Sequence, residues 1–155
     1  MVISKTILIT GSKGQLGSSL KKISKAYNYK FIFTDKSKLD ITNFDLLKEF
    51  FKNNKIDTLI NCVAYTNVDN SQIKKNICNK VNHEAIGFLS RLCEKFNIQL
   101  IHISTDYVFD GKKDSPYDES DFTEPLNYYG LSKLQGEKAV MNYNLSQVNA
   151  QKVKA

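Results

Sequence analysis

Tyr129 and Lys133 stand four residues apart in the run Tyr129-Gly130-Leu131-Ser132-Lys133. Ser104 and Thr105 lie upstream, after the apolar run Leu100-Ile101-His102-Ile103. Near the start, Gly11, Gly14 and Gly17 follow Ile7-Leu8-Ile9. A free phenol titrates at about 10. A neighbouring ammonium stabilises the phenolate and lowers that value. Positions i and i+4 of a helix share a face, so Lys133 can reach under Tyr129 or hold a ribose. Thr105 or Ser104, at a strand end, can hold a substrate oxygen that Tyr129 protonates. The chemistry in view is hydride addition to a carbonyl, with a nicotinamide as donor.

The glycines carry the other half of that chemistry. Gly11-Ser12-Lys13-Gly14-Gln15-Leu16-Gly17 joins a strand-like run to a helix-like one. Gly11 permits a tight turn. Gly14 lets a diphosphate approach the backbone, and Gly17 lets helix and strand pack closely. The helix start offers N–H groups and partial positive charge to phosphates. Asp35 ends the next strand-like run, where an acid can accept hydrogen bonds from the adenosine ribose of NAD. Lys36 beside it can instead meet a 2′-phosphate, so NADH and NADPH both stay open. Asp40-Ile41 suits an adenine contact, and a turn or capping role for Asp40 competes with it.

The elements that must position these groups alternate. Residues 2–10 read as a strand, and Leu16, Leu20, Ile23 and Tyr27 recur at helical spacing. Residues 31–34 read as a second strand. Asn43 suits a helix cap ahead of Phe44, Leu47, Phe50 and Phe51. Residues 58–63 read as a third strand. Val81, Ala85, Phe88, Leu92 and Phe96 form a long helical stripe, and residues 99–103 a fourth strand. Short apolar strands between amphipathic helices predict a Rossmann-like α/β fold, a parallel sheet with helices on both faces. Ligands of such sheets bind at the carboxyl ends of the strands. Residues 106–128 read as a loop with Asp110-Gly111 and both prolines, Pro116 and Pro125. The NAD(P)-binding domain is expected over 1–141, with 142–155 a frayed or disordered polar tail.

The chain of 155 residues is long enough for one domain with a core, and 41% of it is hydrophobic. No apolar stretch approaches the roughly 20 residues of a membrane span. The start reads as strand rather than secretion signal, which predicts a cytoplasmic protein without membrane contact. The net charge of +6 rests on scattered lysines, with Arg91 the only arginine. That pattern argues against nucleic acid, since bidentate base and phosphate contacts favour arginine. Cys62, Cys78 and Cys93 lack metal spacing and read as reduced packing thiols. His83 and His102 read as structural, so no metal is expected.

Three runs carry a resemblance. Residues Asn61-Cys62-Val63-Ala64-Tyr65-Thr66-Asn67-Val68-Asp69, Ser104-Thr105-Asp106-Tyr107-Val108-Phe109-Asp110-Gly111 and Pro125-Leu126-Asn127-Tyr128-Tyr129-Gly130-Leu131-Ser132-Lys133 closely resemble the dTDP-4-dehydrorhamnose reductases. These belong to the extended short-chain dehydrogenase/reductases. The resemblance runs from about residue 5 to about residue 140. It implies NAD(P)H-dependent reduction of a 4-keto dTDP-sugar, with Thr105, Tyr129 and Lys133 as the catalytic set. It places Gly14, Gln15 and Leu16 on the cofactor phosphates and Asp40-Ile41 near adenine. Ala64, Tyr65 and Thr66 would run along the cofactor, and Ser104, Thr105 and Asp106 would face the sugar.

Family members are nearly twice as long, and their second half closes over the sugar nucleotide. Here the similarity fades after Gly136-Glu137-Lys138-Ala139-Val140, and there is no tryptophan for the expected Arg-Thr-Ser-Trp-like motif. A truncated or frameshifted reading frame is the expectation this raises. A dinucleotide-binding fragment without activity, or a regulatory module, is therefore the second reading. A related epimerase or dehydratase is the third, disfavoured by the Ser-Thr-Asp-Tyr-Val-Phe run. A homodimer is compatible with all of them.

Overall fold

A computed structural model describes residues 5–152, and side chains as far as residue 142. In chain order the elements are β1 (Thr6–Thr10), α1 (Gln15–Ile23), β2 (Lys30–Phe33), α2 (Phe44–Asn53), β3 (Thr58–Asn61), α3 (Val68–Ser71), α4 (Lys75–Asn79), α5 (Ala85–Lys95), β4 (Gln99–His102) and α6 (Tyr128–Lys152). A π-helical turn over Lys80–Glu84 joins α4 to α5, and Ser24–Ala26 and Asp106–Val108 are 3-10 turns. The chain divides into two compact units, residues 1–63 with 88–103, and residues 64–87 with 104–155.

The first unit is the sheet. β-Branched and aromatic residues fill its strands, as a pleated and buried surface favours. The order is β2-β1-β3-β4, and every pairing is parallel. Ile7 of β1 pairs with Phe31 on one side and Thr58 on the other. Leu8, Ile9 and Leu59 are fully buried, and with Leu47 and Phe51 of α2 they build the core. Asn43 caps α2 by accepting a hydrogen bond from the Leu46 N–H. The chain moves outward from β1 to β2, then back past β1 to β3. Right-handed crossovers therefore put α1 on one face and α2 on the other. The reversal point lies between β1 and β3, where open α/β sheets take their ligands.

The second unit is helical. Asn67 caps α3 through the Asn70 N–H. Asn127 accepts from the Gly130 N–H at 2.8 Å and so starts α6. Gly130 is required there, because a Cβ would fall on the carbonyl oxygen of Tyr107. The loop after residue 108 is bonded to itself. Tyr117 donates to Asp110 at 2.7 Å and stacks on Phe109, and Lys113 pairs with Asp121 at 2.5 Å.

Several expectations shift. Strand β1 spans 6–10, and the predicted residues 2–4 lie outside the described ones. The periodic stripe of α1 ends early. Tyr27 follows a 3-10 turn in extended backbone, and Leu16, Ile23 and Tyr27 are exposed. Local spacing indicates a helix face but not what covers it. Helices α3 and α4 were not foreseen, because residues 68–79 are too short and polar to show a period. Helix α6 runs in its backbone to Lys152.

Candidate functional site

Gly11, Gly14, Gln15, Leu16, Gly17, Asp35, Asp40 and Ile41 all fall in the first unit, on the segments that follow β1 and β2. Gly11 has φ +67°, a left-handed turn that excludes most side chains. A Cβ on it would lie 2.9 Å from the Cys62 carbonyl, so the turn is pressed against the end of β3. A Cβ on Gly17 would fall on the Gly11 oxygen and 2.8 Å from Ser12 Cα. Ser12 N–H donates to the Thr34 carbonyl at 2.9 Å, tying the turn to the end of β2. Gly14 is the exposed N-cap of α1, and no side chain caps that helix. An uncapped helix start beside open glycine backbone is what a diphosphate requires.

Asp35 has its two oxygens differently engaged. Oδ1 accepts from the N–H and hydroxyl of Ser37 and from the Lys38 N–H. Oδ2 pairs with the Lys13 ammonium at 2.6 Å. The Lys13 contact, then Ser37, holds the carboxyl well below the usual carboxylate range. Asp40 accepts from the N–H and hydroxyl of Thr42, the turn role that competes with an adenine contact. Ile41 is a core side chain at 2% exposure, so its backbone alone is left for a base.

Ala64, Tyr65, Thr66, Ser104, Thr105, Asp106, Tyr129 and Lys133 all fall in the second unit. Thr105 caps the 3-10 turn, accepting from Tyr107 N–H and donating to Asp106 at 3.1 Å. The Tyr107 ring then meets Tyr129 edge to face, with centroids 5.6 Å apart. Thr105 thus sits on the short turn that packs on the phenol. Tyr128 is set apart, its ring lying under the Lys75 ammonium. Lys133 is buried at 2% exposure. Burial lowers its pKa from 10.5 to about 8, against the opposing charge of Glu137. Ser104 donates to Glu137 on the next turn of α6.

One group central to this unit escaped sequence reasoning. Asn82, in the π-helical turn, accepts from Tyr65 N–H at 2.8 Å and donates to Tyr65 O and to Ser132 Oγ, each at 3.0 Å. Ser132 in turn donates to the Tyr129 carbonyl at 2.7 Å, and the Cys78 thiol lies 3.1 Å from its hydroxyl. The signal was a lone amide inside the apolar stripe of Val81 and Ala85. A buried amide must find partners.

Both histidines are held by amides. His102 Nδ1 lies 3.2 Å from Asn61 Nδ2, and His83 Nδ1 lies 3.0 Å from Asn79 Oδ1. All three cysteines are free, and burial pushes the Cys93 thiol up to about 12. Among the described residues no group of three metal-ligating side chains converges, and no helix is long and apolar enough to cross a membrane.

The family model described as RmlD substrate binding domain matches residues 5–149. The dTDP-4-dehydrorhamnose reductase of Aggregatibacter actinomycetemcomitans is 39% identical over 136 residues, 87% of this chain and 46% of that protein. The Mycolicibacterium smegmatis protein of the same name is 39% identical, over 90% of this chain and 42% of its own length. Among solved structures, the dTDP-4-dehydrorhamnose reductase of Bacillus anthracis in complex with NADP superposes with a TM-score of 0.88 at 31% identity. It covers 92% of this chain and 51% of that one. The Clostridium acetobutylicum reductase gives 0.87 at 38% identity, over 89% and 49%. The chain thus spans about half the length of these relatives.

Proposed function

Because the chain belongs to the RmlD substrate binding domain family, we propose that it binds NAD(P)H and serves reduction of a dTDP-4-keto-6-deoxy sugar, dTDP-4-dehydro-L-rhamnose, to dTDP-L-rhamnose. The observation that carries the reading is the packing of the Thr105–Tyr107 turn on Tyr129, with Lys133 buried one helical turn further on. The residues present fit the cofactor. Gly11 and Gly17 leave no room for side chains, and α1 begins without a cap.

When bound, the nicotinamide supplies hydride to the sugar C4. The chain supplies the rest. The hydroxyl of Thr105, turned away from Asp106, donates to the keto oxygen and orients it. Tyr129 transfers its phenolic proton to that oxygen as negative charge grows there. Lys133, held one turn away, stabilises the phenolate left behind. Ser104 and Asp106 border the sugar. Ala64, Tyr65 and Thr66 line the cofactor, with the Tyr65 backbone fixed by Asn82. Asp40 and Ile41 meet the adenine. Substrate and cofactor are membrane-impermeant anions, so the reaction belongs in the cytoplasm, and its product feeds cell-surface polysaccharide. A homodimer is compatible with this reading.

A second reading rests on length. The chain covers 42–51% of these relatives, and catalysis depends on enclosing and positioning the sugar. In that reading the chain binds dinucleotide without turnover. Titration with NADPH, followed by dTDP-4-keto sugar while nicotinamide absorbance is monitored, separates the two. Turnover that is lost in Tyr129→Phe supports the reductase. Binding without turnover supports the fragment. No binding defeats both.

A further inference from the structure

Each unit carries a charged surface that the proposed chemistry does not use, and the two are opposite in sign. In the first unit, the sequence from Gln15 to Thr34 holds Lys21, Lys22, Lys25 and Lys30 and no acid. All four lysines are exposed, and none pairs with a carboxylate among the described residues. Alternate residues along β2 put rings on one face beside them. Phe31 stacks on Phe33 with centroids 5.8 Å apart, and Tyr29 meets Phe31 edge to face at 6.2 Å. The Lys21 ammonium lies 5.7 Å from the Phe33 ring, and Tyr29 is 49% exposed. The lysines follow the end of α1 and the start of β2, at the other end of the sheet from the glycine turn.

In the second unit, the loop from Asp110 to Leu126 carries acids. Lys112 pairs with Asp110 at 3.4 Å and Lys113 with Asp121 at 2.5 Å, so these charges cancel within the loop. Asp114, Asp118, Glu119 and Glu124 are left over, all exposed. Among them stands Phe122, 83% exposed. The loop is held by its own bonds, Asp118 accepting from the Ser120 N–H at 2.8 Å and Tyr117 donating to Asp110.

We propose that the acidic loop of one copy of this chain docks on the lysine and aromatic surface of another, with Phe122 set against the Tyr29–Phe31 rings. The contact is independent of the cofactor reading. Single exposed apolar side chains are ordinary. Here a contiguous row of rings is flanked by charges of one sign, and a protruding ring is flanked by charges of the other. Four unpaired ammoniums face four uncancelled carboxylates, so the two surfaces match in charge as well as in apolar content. Complementary potentials of this kind select the partner and fix the register of a contact, and aromatic residues are enriched at interface centres. The occupant is a second copy because the chain itself supplies both halves. The halves are different surfaces, so the contact is heterologous, and each pair of chains keeps one loop and one lysine surface for further growth or ring closure.

Sedimentation velocity of the full chain over a dilution series tests this, in low salt and at about 1 M salt, where the screening length falls to about 3 Å. Wild type is expected to sediment as species larger than the monomer in low salt and to fall to monomer in high salt. Lys21→Glu/Lys25→Glu removes the docking surface and leaves the loop. Glu119→Lys/Phe122→Ser removes the loop and leaves the docking surface. Each variant, shown by circular dichroism to be folded, should be monomeric alone. Mixed together they should form a complex of two chains that grows no further, since one intact half comes from each. Wild type that is monomeric throughout overturns the inference and leaves the lysine surface to a foreign acidic partner. Association that persists in either variant, or in high salt, also overturns it, as does a mixture that stays monomeric. NADPH titration of the same proteins reports on the dinucleotide reading separately, and its failure leaves the docking result standing.

Discussion

Asn82 and Ser132, fifty positions apart in the sequence, are joined by a 3.0 Å hydrogen bond from the amide of one to the hydroxyl of the other. Both are buried, at 1% and 0% exposure. Through this contact the backbone of Tyr65 is tied to the turn of α6 that carries Tyr129 and Lys133. Asn82→Ala leaves the Tyr65 N–H and carbonyl without their partner. The unfolding free energy should fall by about 2–4 kcal/mol, read by urea denaturation. Asn82→Asp would bury a carboxylate against the Tyr65 carbonyl and should cost at least as much as Ala. A loss under about 0.5 kcal/mol in Asn82→Ala would show that water replaces the amide.

Lys133 links stability and chemistry in opposite directions. Its pKa in the fold is about 8, below the 10.5 of an unburied lysine. Between these values the unfolded chain binds more protons than the native one, so stability rises with pH across that window. Lys133→Met removes the buried ammonium. The rise of stability with pH between about 8 and 10.5 should therefore be lost in the variant. Thermal melts across that window check this. A variant that keeps the wild-type rise contradicts it.

The same titration shapes catalysis if the chain turns over. Activity that needs the Lys133 ammonium should decline as pH rises through about 8. Tyr129→Phe should lower turnover about 100-fold or more, with NADPH affinity unchanged, because the phenol contributes its proton rather than its ring. A parallel loss of NADPH binding would make Tyr129 a cofactor contact first.

Gly17 has no space for a methyl group against Gly11 and Ser12. Gly17→Ala should destabilise the fold by about 1–3 kcal/mol and weaken both nucleotides by displacing the loop. Unaltered nucleotide affinity in a folded Gly17→Ala protein would mean that the loop does not form the binding surface.

Asn43 offers a measure of local helix energetics away from this loop. Its side chain accepts the Leu46 N–H at 3.1 Å. Asn43→Ala should cost about 1 kcal/mol of stability, and Asn43→Asp should restore most of it. Equal stability of the alanine and wild-type proteins would show that water caps α2 equally well.

What was legible in the sequence was local. The four parallel strands, the Asn43 cap, the Gly11 turn and the Tyr129/Lys133 spacing each follow from residue type within a short window. Periodicity failed where packing decided the outcome. Leu16, Ile23 and Tyr27 keep a helical spacing yet lie exposed, and Asn82 looked like an interruption of an apolar stripe.

The amino-acid order alone determined the four strands, the longer helices and which residues could do chemistry, because backbone preference and side-chain period act over a few residues. Tertiary structure alone decided that Asn82 finds Tyr65 and Ser132, that Lys13 finds Asp35, and that Gly130 must clear the Tyr107 carbonyl. Those pairings are set by how the chain closes on itself. A buried amide, an ammonium or a backbone oxygen takes whichever partner the fold delivers, and sequence distance carries no record of it.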